Sequence, residues 1–368
     1  MTNNQVPLFS AQAVNAGIDL YTPVQQVVAS HWYILGEQVK KFEEEFASYV
    51  GLSHCISVAN GSDALELALR GLGVGQGSRV VAVANAGFYG STAIHAVGAE
   101  PVYVDVDAST QTICPAALAS VIASKPAAVI VTHLYGQLAN VEEIVRLANA
   151  AGVPVLEDCA QSHGARRNGQ QAGSFGTIAC FSFYPTKNLG ALGDGGAVVT
   201  NDEQLAARIR QLRQYGWSKK YEVAIPGGRN SRLDEMQAAI LRVKLPHLDR
   251  WNEERRVIAK RYNSAFAALD MQLPPSTDED FVAHLYVVRV KDRSALAAAL
   301  KEKQISTDIH YPIPDHKQPA YSYSTQSALP VTEKACNTVI SLPCFPGLTE
   351  DEVSRVIDAV TSHFSKEH

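Results

Sequence analysis

The sequence predicts an α/β protein, with a large domain on a mostly parallel, mixed sheet and a smaller α+β domain at the C-terminus. Three observations predict it. Short valine- and isoleucine-rich runs with little polar alternation recur between residues 55 and 157, as strands buried on both faces do. Between them lie stretches with apolar residues three and four apart, which read as crossover helices. A proline-containing segment, 270–280, then separates this array from a shorter set of elements.

In chain order, residues 1–30 show no clear period and are expected to form an arm on the main body. Over 36–50, Val39, Phe42, Phe46 and Tyr49 share one helical face among lysines and glutamates. Strands follow at 55–59, 79–84, 101–106, 128–132 and 153–157, alternating with helices at 63–72, 91–97, 115–123 and 141–151. That succession is repeated β-α-β. After Asp158 the pattern changes, because strands at 178–184 and 196–200 are joined only by a glycine-rich segment, which suits antiparallel neighbours. A helix over 202–214, an irregular loop over 216–229 and a helical tract over 233–269 come next. Asp234 and Glu235 favour the first turn of that tract, and Pro246 breaks or kinks it near Lys244. Beyond the linker, strands at 283–290, 305–309 and 339–342 with helices at 294–304 and 350–364 form the small domain. The expected division is therefore 1–270 and 271–368.

Composition excludes several classes of function. Of 368 residues, 46% are hydrophobic, too many for a disordered chain. Lys and Arg number 32 against 37 Asp and Glu, a net charge of −5, which argues against a dedicated nucleic-acid binder. The apolar runs fall far below the roughly 20 residues that cross a bilayer. The first residues, MTNNQVPLFSAQ, show neither a basic nor an apolar leader region, so a cytoplasmic protein is expected. The six cysteines form no C-x-x-C pair and read as small buried thiols. The histidines His163, His284, His310 and His316 lack metal-ligand spacing, so no metal is expected. Gly71 to Gly77 is glycine-rich but follows a helix and lacks the G-x-G-x-x-G spacing, and there is no G-x-S-x-G elbow.

Three segments can carry chemistry. In Phe181-Ser-Phe-Tyr-Pro-Thr-Lys187-Asn-Leu-Gly, a lysine follows an apolar strand among hydroxyls and glycines. It is either a surface lysine or an amine of depressed pKa suited to a Schiff base. In Val155-Leu-Glu157-Asp158-Cys-Ala-Gln161-Ser-His163-Gly, two carboxylates end a buried strand, where open α/β sheets gather ligands. Glu157 reads as a strand-end ion pair and Asp158 as the partner of a cationic ring nitrogen, although paired carboxylates also serve glycosidases and magnesium. In Val58-Ala-Asn60-Gly61-Ser62-Asp63-Ala64-Leu65, a turn opens a helix whose free N–H groups suit a phosphate. Ser62 and Asp63 could equally be plain N-caps.

Together these three segments resemble the DegT/DnrJ/EryC1/StrS family of sugar aminotransferases, from about residue 5 to the C-terminus. The resemblance implies the pyridoxal-phosphate-dependent fold type I, which is aspartate-aminotransferase-like. It implies that Lys187 carries pyridoxal 5′-phosphate as a Schiff base and shuttles the proton, with pyridoxamine phosphate as the intermediate form. Asp158 would pair with the ring nitrogen and Gln161 with the ring hydroxyl. Gly61, Ser62, Asp63 and Ser182 would hold the phosphate, joined by Asn230 from a neighbouring subunit of a homodimer. The family's ring-stacking aromatic aligns with Gly87, so either Phe88 or Tyr89, just after it, could take that role, and Phe88 is preferred.

The stretch from Ile309 through His310 and Tyr311 resembles the branch that aminates C3 of dTDP-linked 3-keto-6-deoxyhexoses with L-glutamate as donor. Amination at C4 of a 4-keto sugar is the alternative. In that branch Tyr184, His310 and Tyr311 would face the sugar and Lys219 a diphosphate across the dimer. Lys187 argues against the dehydratase relatives, which replace that lysine, commonly with histidine. A nicotinamide-dependent oxidoreductase lacks its fingerprint here, and a regulatory protein lacks a DNA-binding segment.

Overall fold

In the computed structural model, residues 5–321 and 328–365 are described, so residues 1–4 of the expected arm lie outside the described residues. The valine-rich runs form one seven-stranded sheet: β1 (His54–Val58), β2 (Arg79–Ala82), β3 (Glu100–Tyr103), β4 (Ala128–Thr132), β5 (Val155–Asp158), β6 (Ile178–Ser182) and β7 (Gly196–Thr200). Their order is β1-β7-β6-β5-β4-β2-β3. β7 runs antiparallel to both β6 and β1, and every other pair is parallel. The short glycine-rich connection between β6 and β7 is what permits that single reversal.

Alternate strand residues feed opposite cores. Ile130, Leu156 and Val198 pack with helix α2 (Gly61–Gly71). On the other face Val199 joins Phe42 and Phe46 of α1 (Glu37–Val50), and Val131 joins Ile144. The Phe46 ring meets Phe181 and Phe183 edge-on at 5.0 and 5.2 Å, which locks α1 beneath the strand that leads to Lys187. A further helix, α3 (Tyr89–Ala96), follows β2.

The helical tract breaks where proline requires. The helix Glu235–Lys244 passes through a 3-10 turn, Leu245–His247, into α4 (Leu248–Phe266). In the C-terminal unit β8 (Tyr286–Arg289) pairs antiparallel with β9 (Val339–Leu342), flanked by the helices Arg293–Glu302, Pro330–Thr338 and Glu350–Ser365. The strand expected at 305–309 does not form. Ile305 bridges Val6 and Asp308 bridges Ser341, so two single contacts with different partners replace one ladder. The apolar cluster of this unit also takes in Val6 and the end of α4 through Tyr262 and Phe266. Among the described residues no helix is long and apolar enough to cross a membrane.

Candidate active site

The carboxyl ends of β4, β5 and β6 and the N-terminus of α2 converge on a cavity of about 1020 Å³. Thr132, Asp158 and Ser182 are the last residues of those strands, so the ending ladder delivers all three to its wall.

At the α2 end, Asn60 caps the helix, its Oδ1 accepting the Asp63 N–H at 2.8 Å. The capping expected of Ser62 or Asp63 thus falls to the residue before the glycine. The cap leaves the N–H groups of Gly61 and Ser62 without protein partners among the described residues. Gly61 is required by closeness, since a Cβ there would lie 2.6 Å from the Cβ of Ser182. Two free N–H groups, the positive helix end and the Ser62 and Ser182 hydroxyls make an anion cradle. The Asp63 carboxylate, also on the wall, is offset by Arg229 at 3.7 Å.

Lys187 follows β6 in a turn closed by its own N–H to the Tyr184 carbonyl at 2.8 Å. Its half-buried amine makes no hydrogen bond or ion pair among the described residues. Burial lowers its pKa to about 8, with Asp158 pulling the opposite way. Asp158 accepts from the Ala160 N–H at 3.1 Å and from the Thr132 hydroxyl at 3.4 Å. Burial raises its pKa, and the Ala160 N–H and Lys187 oppose that shift. An amine more readily deprotonated than an ordinary lysine and a buried carboxylate lacking a strong cationic partner thus share one cavity.

Gln161 is oriented by the Tyr135 N–H, which donates to its Oε1 at 2.6 Å, and its Nε2 donates to the Tyr311 hydroxyl at 3.2 Å. The Tyr311 ring lies over Gly87, where a Cβ would come within 2.9 Å of it. His310 Nδ1 lies 2.8 Å from the Ser341 hydroxyl, and burial lowers the pKa of its ring. Tyr184 stands exposed at the rim.

Three expected site residues lie elsewhere. Phe88 adopts a left-handed φ of 69° with its N–H on Asp315 at 3.1 Å. That geometry sends its ring onto Tyr321, 5.0 Å away, outside the cavity wall, so the assignment of Phe88 as the ring-stacking residue is corrected. Tyr89 lines the cavity instead. Asn230 is exposed and bridges Gln214. Lys219 sits on the exposed hairpin of Trp217–Lys219 and Glu222–Val223, paired with Glu222 at 2.8 Å. Neither faces this chain's own cavity.

Sequence reasoning missed Asn188, Arg255 and His284. Asn188 donates to Asn252 at 2.8 Å and to the Val282 carbonyl at 3.0 Å, and its Oδ1 lies 3.0 Å from His284 Nδ1, which pins the loop beside Lys187. The spacing Trp251, Arg255, Ile258, Tyr262 would have placed Arg255 on the buried face of α4.

Glu157 is structural. It is 0% exposed, lies 2.9 Å from His133 Nε2 and accepts the N–H groups of Gly173, Phe175 and Gly176 at 2.6–2.9 Å. His133, Glu157 and Cys159 approach within 4.8 Å of one another, but both His133 nitrogens and both Glu157 oxygens are already engaged. Glu157→Ala leaves those donors unpaired and is expected to cost about 3–5 kcal/mol. Denaturant unfolding of the purified variant measures this, and a loss under about 1 kcal/mol contradicts the anchoring role.

Residues 18–361 match the family model of the DegT/DnrJ/EryC1/StrS aminotransferase family. The chain belongs to this family. A relative from Aneurinibacillus thermoaerophilus, named dTDP-3-amino-3,6-dideoxy-alpha-D-galactopyranose transaminase, is 46% identical over 361 residues, 97% of this chain and 99% of its own. The solved structure of DesV from S. venezuelae in complex with a ketimine intermediate superposes with a TM-score of 0.94 at 41% identity, covering 97% of this chain and 98% of that one. NtdA from Bacillus subtilis with bound cofactor PMP gives a TM-score of 0.91 at 29% identity, covering 98% and 86%.

The DegT/DnrJ/EryC1/StrS chain is thus an aminotransferase of the α/β fold expected, and membership implies use of pyridoxal 5′-phosphate. The residues present fit that cofactor. The cradle at Gly61 and Ser62 suits its phosphate, the unpartnered Lys187 amine its aldehyde and the buried Asp158 carboxylate a protonated ring nitrogen.

Proposed function

We propose that this chain transfers the amino group of L-glutamate to C3 of a dTDP-linked 3-keto-6-deoxyhexose, giving a dTDP-3-amino-3,6-dideoxyhexose, as a cytoplasmic homodimer. The carrying observation for the chemistry is the unpartnered Lys187 amine, set in one cavity with Asp158 and the free N–H groups of α2. The sugar and the position of amination are supported by the relative that is 46% identical and named for a 3-amino sugar.

Bound there, pyridoxal 5′-phosphate supplies an electron sink and carries the amino group between donor and acceptor. Lys187 Nζ would anchor it and would take and return the proton at the reacting carbon. Asp158 keeps the ring nitrogen protonated through charge, and Gln161 orients the ring through its Nε2. The Ser182 and Ser62 hydroxyls and the Gly61 and Ser62 N–H groups would fix the phosphate end, whereas Asp63, its N–H spent on the Asn60 cap, would not bind it directly. Tyr184, His310 and Tyr311 border the space left for the sugar.

Asn230 and Lys219 are exposed and do not line their own cavity, which supports their acting on the phosphate and the diphosphate of a partner's site. Exposed Trp32 and Tyr221 give a dimer apolar surface to cover.

The neutral amine is the nucleophile, so protonation below about 8 slows its reaction with added cofactor. The rate of covalent capture by cofactor-stripped protein is therefore expected to rise with pH and level off above about 8. Stopped-flow absorbance measures it, and a rate still climbing through pH 10, the range of an ordinary lysine, contradicts the assignment. The position of amination is tested by incubating the enzyme with glutamate and either a 3-keto or a 4-keto nucleotide sugar. NMR of the product should place the new amine on C3, and amination at C4 overturns that choice.

A further inference from the structure

We propose that Arg255 forms a carboxylate-binding subsite, receiving one carboxylate of the amino donor at the inner end of the cavity that holds Lys187. This rests on the glutamate-dependent reading above and names a residue for its donor.

Arg255 lies on α4 and is 2% exposed, yet it lines the cavity. Its Nη1 donates to the carbonyls of Ala283, His284 and Cys344 at 3.2, 3.3 and 2.6 Å. The other two nitrogens are left over. Nε is buried without any acceptor, and Nη2 makes no hydrogen bond among the described residues. No carboxylate pairs with this guanidinium among the described residues, whereas the next residue, Arg256, pairs with Glu253 at 2.6 Å. A buried charge without a counter-charge is costly, so the protein bears a cost here that a bound anion would relieve.

The shape of the free edge selects the anion. Nε and Nη2 lie on one side of the guanidinium, an edge that matches a planar carboxylate through two parallel hydrogen bonds once the ligand reaches the enclosed Nε. Neighbouring wall residues Phe9, Leu342 and Cys344 are apolar, which suits a short aliphatic chain. The nearby charge is positive as well: after burial itself, Lys187 and Arg255 depress the pKa of His284. Arg255 itself is lowered only to about 10 by burial, so it stays cationic at neutral pH. Lys187 and Arg255 line the same cavity, so the subsite requires a dicarboxylic amino acid to place its amine at Lys187 and a carboxylate at this edge together. The sugar acceptor has no carboxylate to offer.

The test uses glutarate, a dicarboxylate that lacks the reacting amine, with the purified holoenzyme. Calorimetry should give glutarate binding that weakens about 10- to 100-fold in Arg255→Gln, the factor a hydrogen bond to a charged group supplies. The glutamate half-reaction should fall at least about tenfold further than the half-reaction of the pyridoxamine-loaded enzyme with ketosugar, and an equal fall in both overturns the subsite. Arg255→Lys keeps a donor for the carbonyls and tests the fork should the glutamine variant not fold, and its glutarate affinity should fall at least about tenfold. In the unaltered protein, glutarate should shift the Nε–H resonance that disappears in Arg255→Lys.

Glutarate affinity unchanged in a folded variant, or a resonance that inorganic pyrophosphate shifts and glutarate does not, overturns the subsite. Borohydride labelling is run in parallel. Labelling of Lys187 with unchanged glutarate binding defeats this inference alone, and absence of labelling defeats the cofactor reading on which it rests.

Discussion

Replacing Lys187 by alanine is expected to lower transamination by about 10⁴-fold, the upper end of what one positioned acid–base group contributes. The loss should appear equally in the glutamate and ketosugar half-reactions, because the same Nζ serves both. Folding should be unaffected, since the amine makes no hydrogen bond among the described residues and its removal relieves a desolvated group. Lys187→Arg should be as inactive as the alanine variant. An arginine keeps the charge but is never neutral at accessible pH and cannot act as the nucleophile. Methylamine added to Lys187→Ala should restore part of the rate by supplying the missing amine. Single-turnover absorbance with glutamate checks each variant, and undiminished turnover in Lys187→Ala sinks the mechanism.

The second large effect is at Asp158. Asp158→Asn keeps Oδ1 as acceptor for the Ala160 N–H and puts an NH2 donor where Oδ2 accepted from the Thr132 hydroxyl, which can rotate to accept instead, so the strand end should hold its shape. It removes the negative charge that stabilises a protonated ring nitrogen. Loss of a preorganised charge of this kind costs about 10²–10³ in kcat, with weaker cofactor retention alongside. Burial already opposes ionisation of Asp158, so its carboxylate depends on a cationic partner for stability in the interior. A cofactor analogue with an N-methylated ring, positively charged at every pH, should recover part of the activity of Asp158→Asn. Wild-type rates in Asp158→Asn contradict the pairing.

The β-α-β body was legible because its strands are buried on both faces and write themselves as valine runs. All five residues of β4 are buried, and residues 128–132 were the expected strand. The reversal at β7 was legible for a different reason, since residues 187–196 are too short for a crossover helix. The helix Tyr21–Ser30 was missed because only Val27 is buried on it, so burial leaves little apolar period to read. The segment 305–309 misled because its ends find different partners, which local alternation cannot foresee.

The site divides in the same way. Lys187, Asp158 and Gly61 belong to local segments in which strand end, turn and helix start are contiguous. Phe88 failed because one left-handed residue decides whether it or Tyr89 faces the cavity, and sequence spacing does not report φ. Asn188 gave little signal because its partners Asn252, Val282 and His284 come from distant stretches of chain.

The most direct test of the account is to reduce the holoenzyme with borohydride, digest it and locate the cofactor by mass spectrometry. Two lysines have pKa values lowered by burial to about 8, so depressed basicity alone does not choose between them. Lys244 spends its amine on the Gly190 carbonyl at 2.5 Å and lies over the Trp251 ring, whereas Lys187 lines the cavity and its amine has no partner among the described residues. The account predicts loss of the yellow colour and a single modified peptide carrying the cofactor on Lys187. Attachment at Lys244, or no covalent attachment, would contradict it.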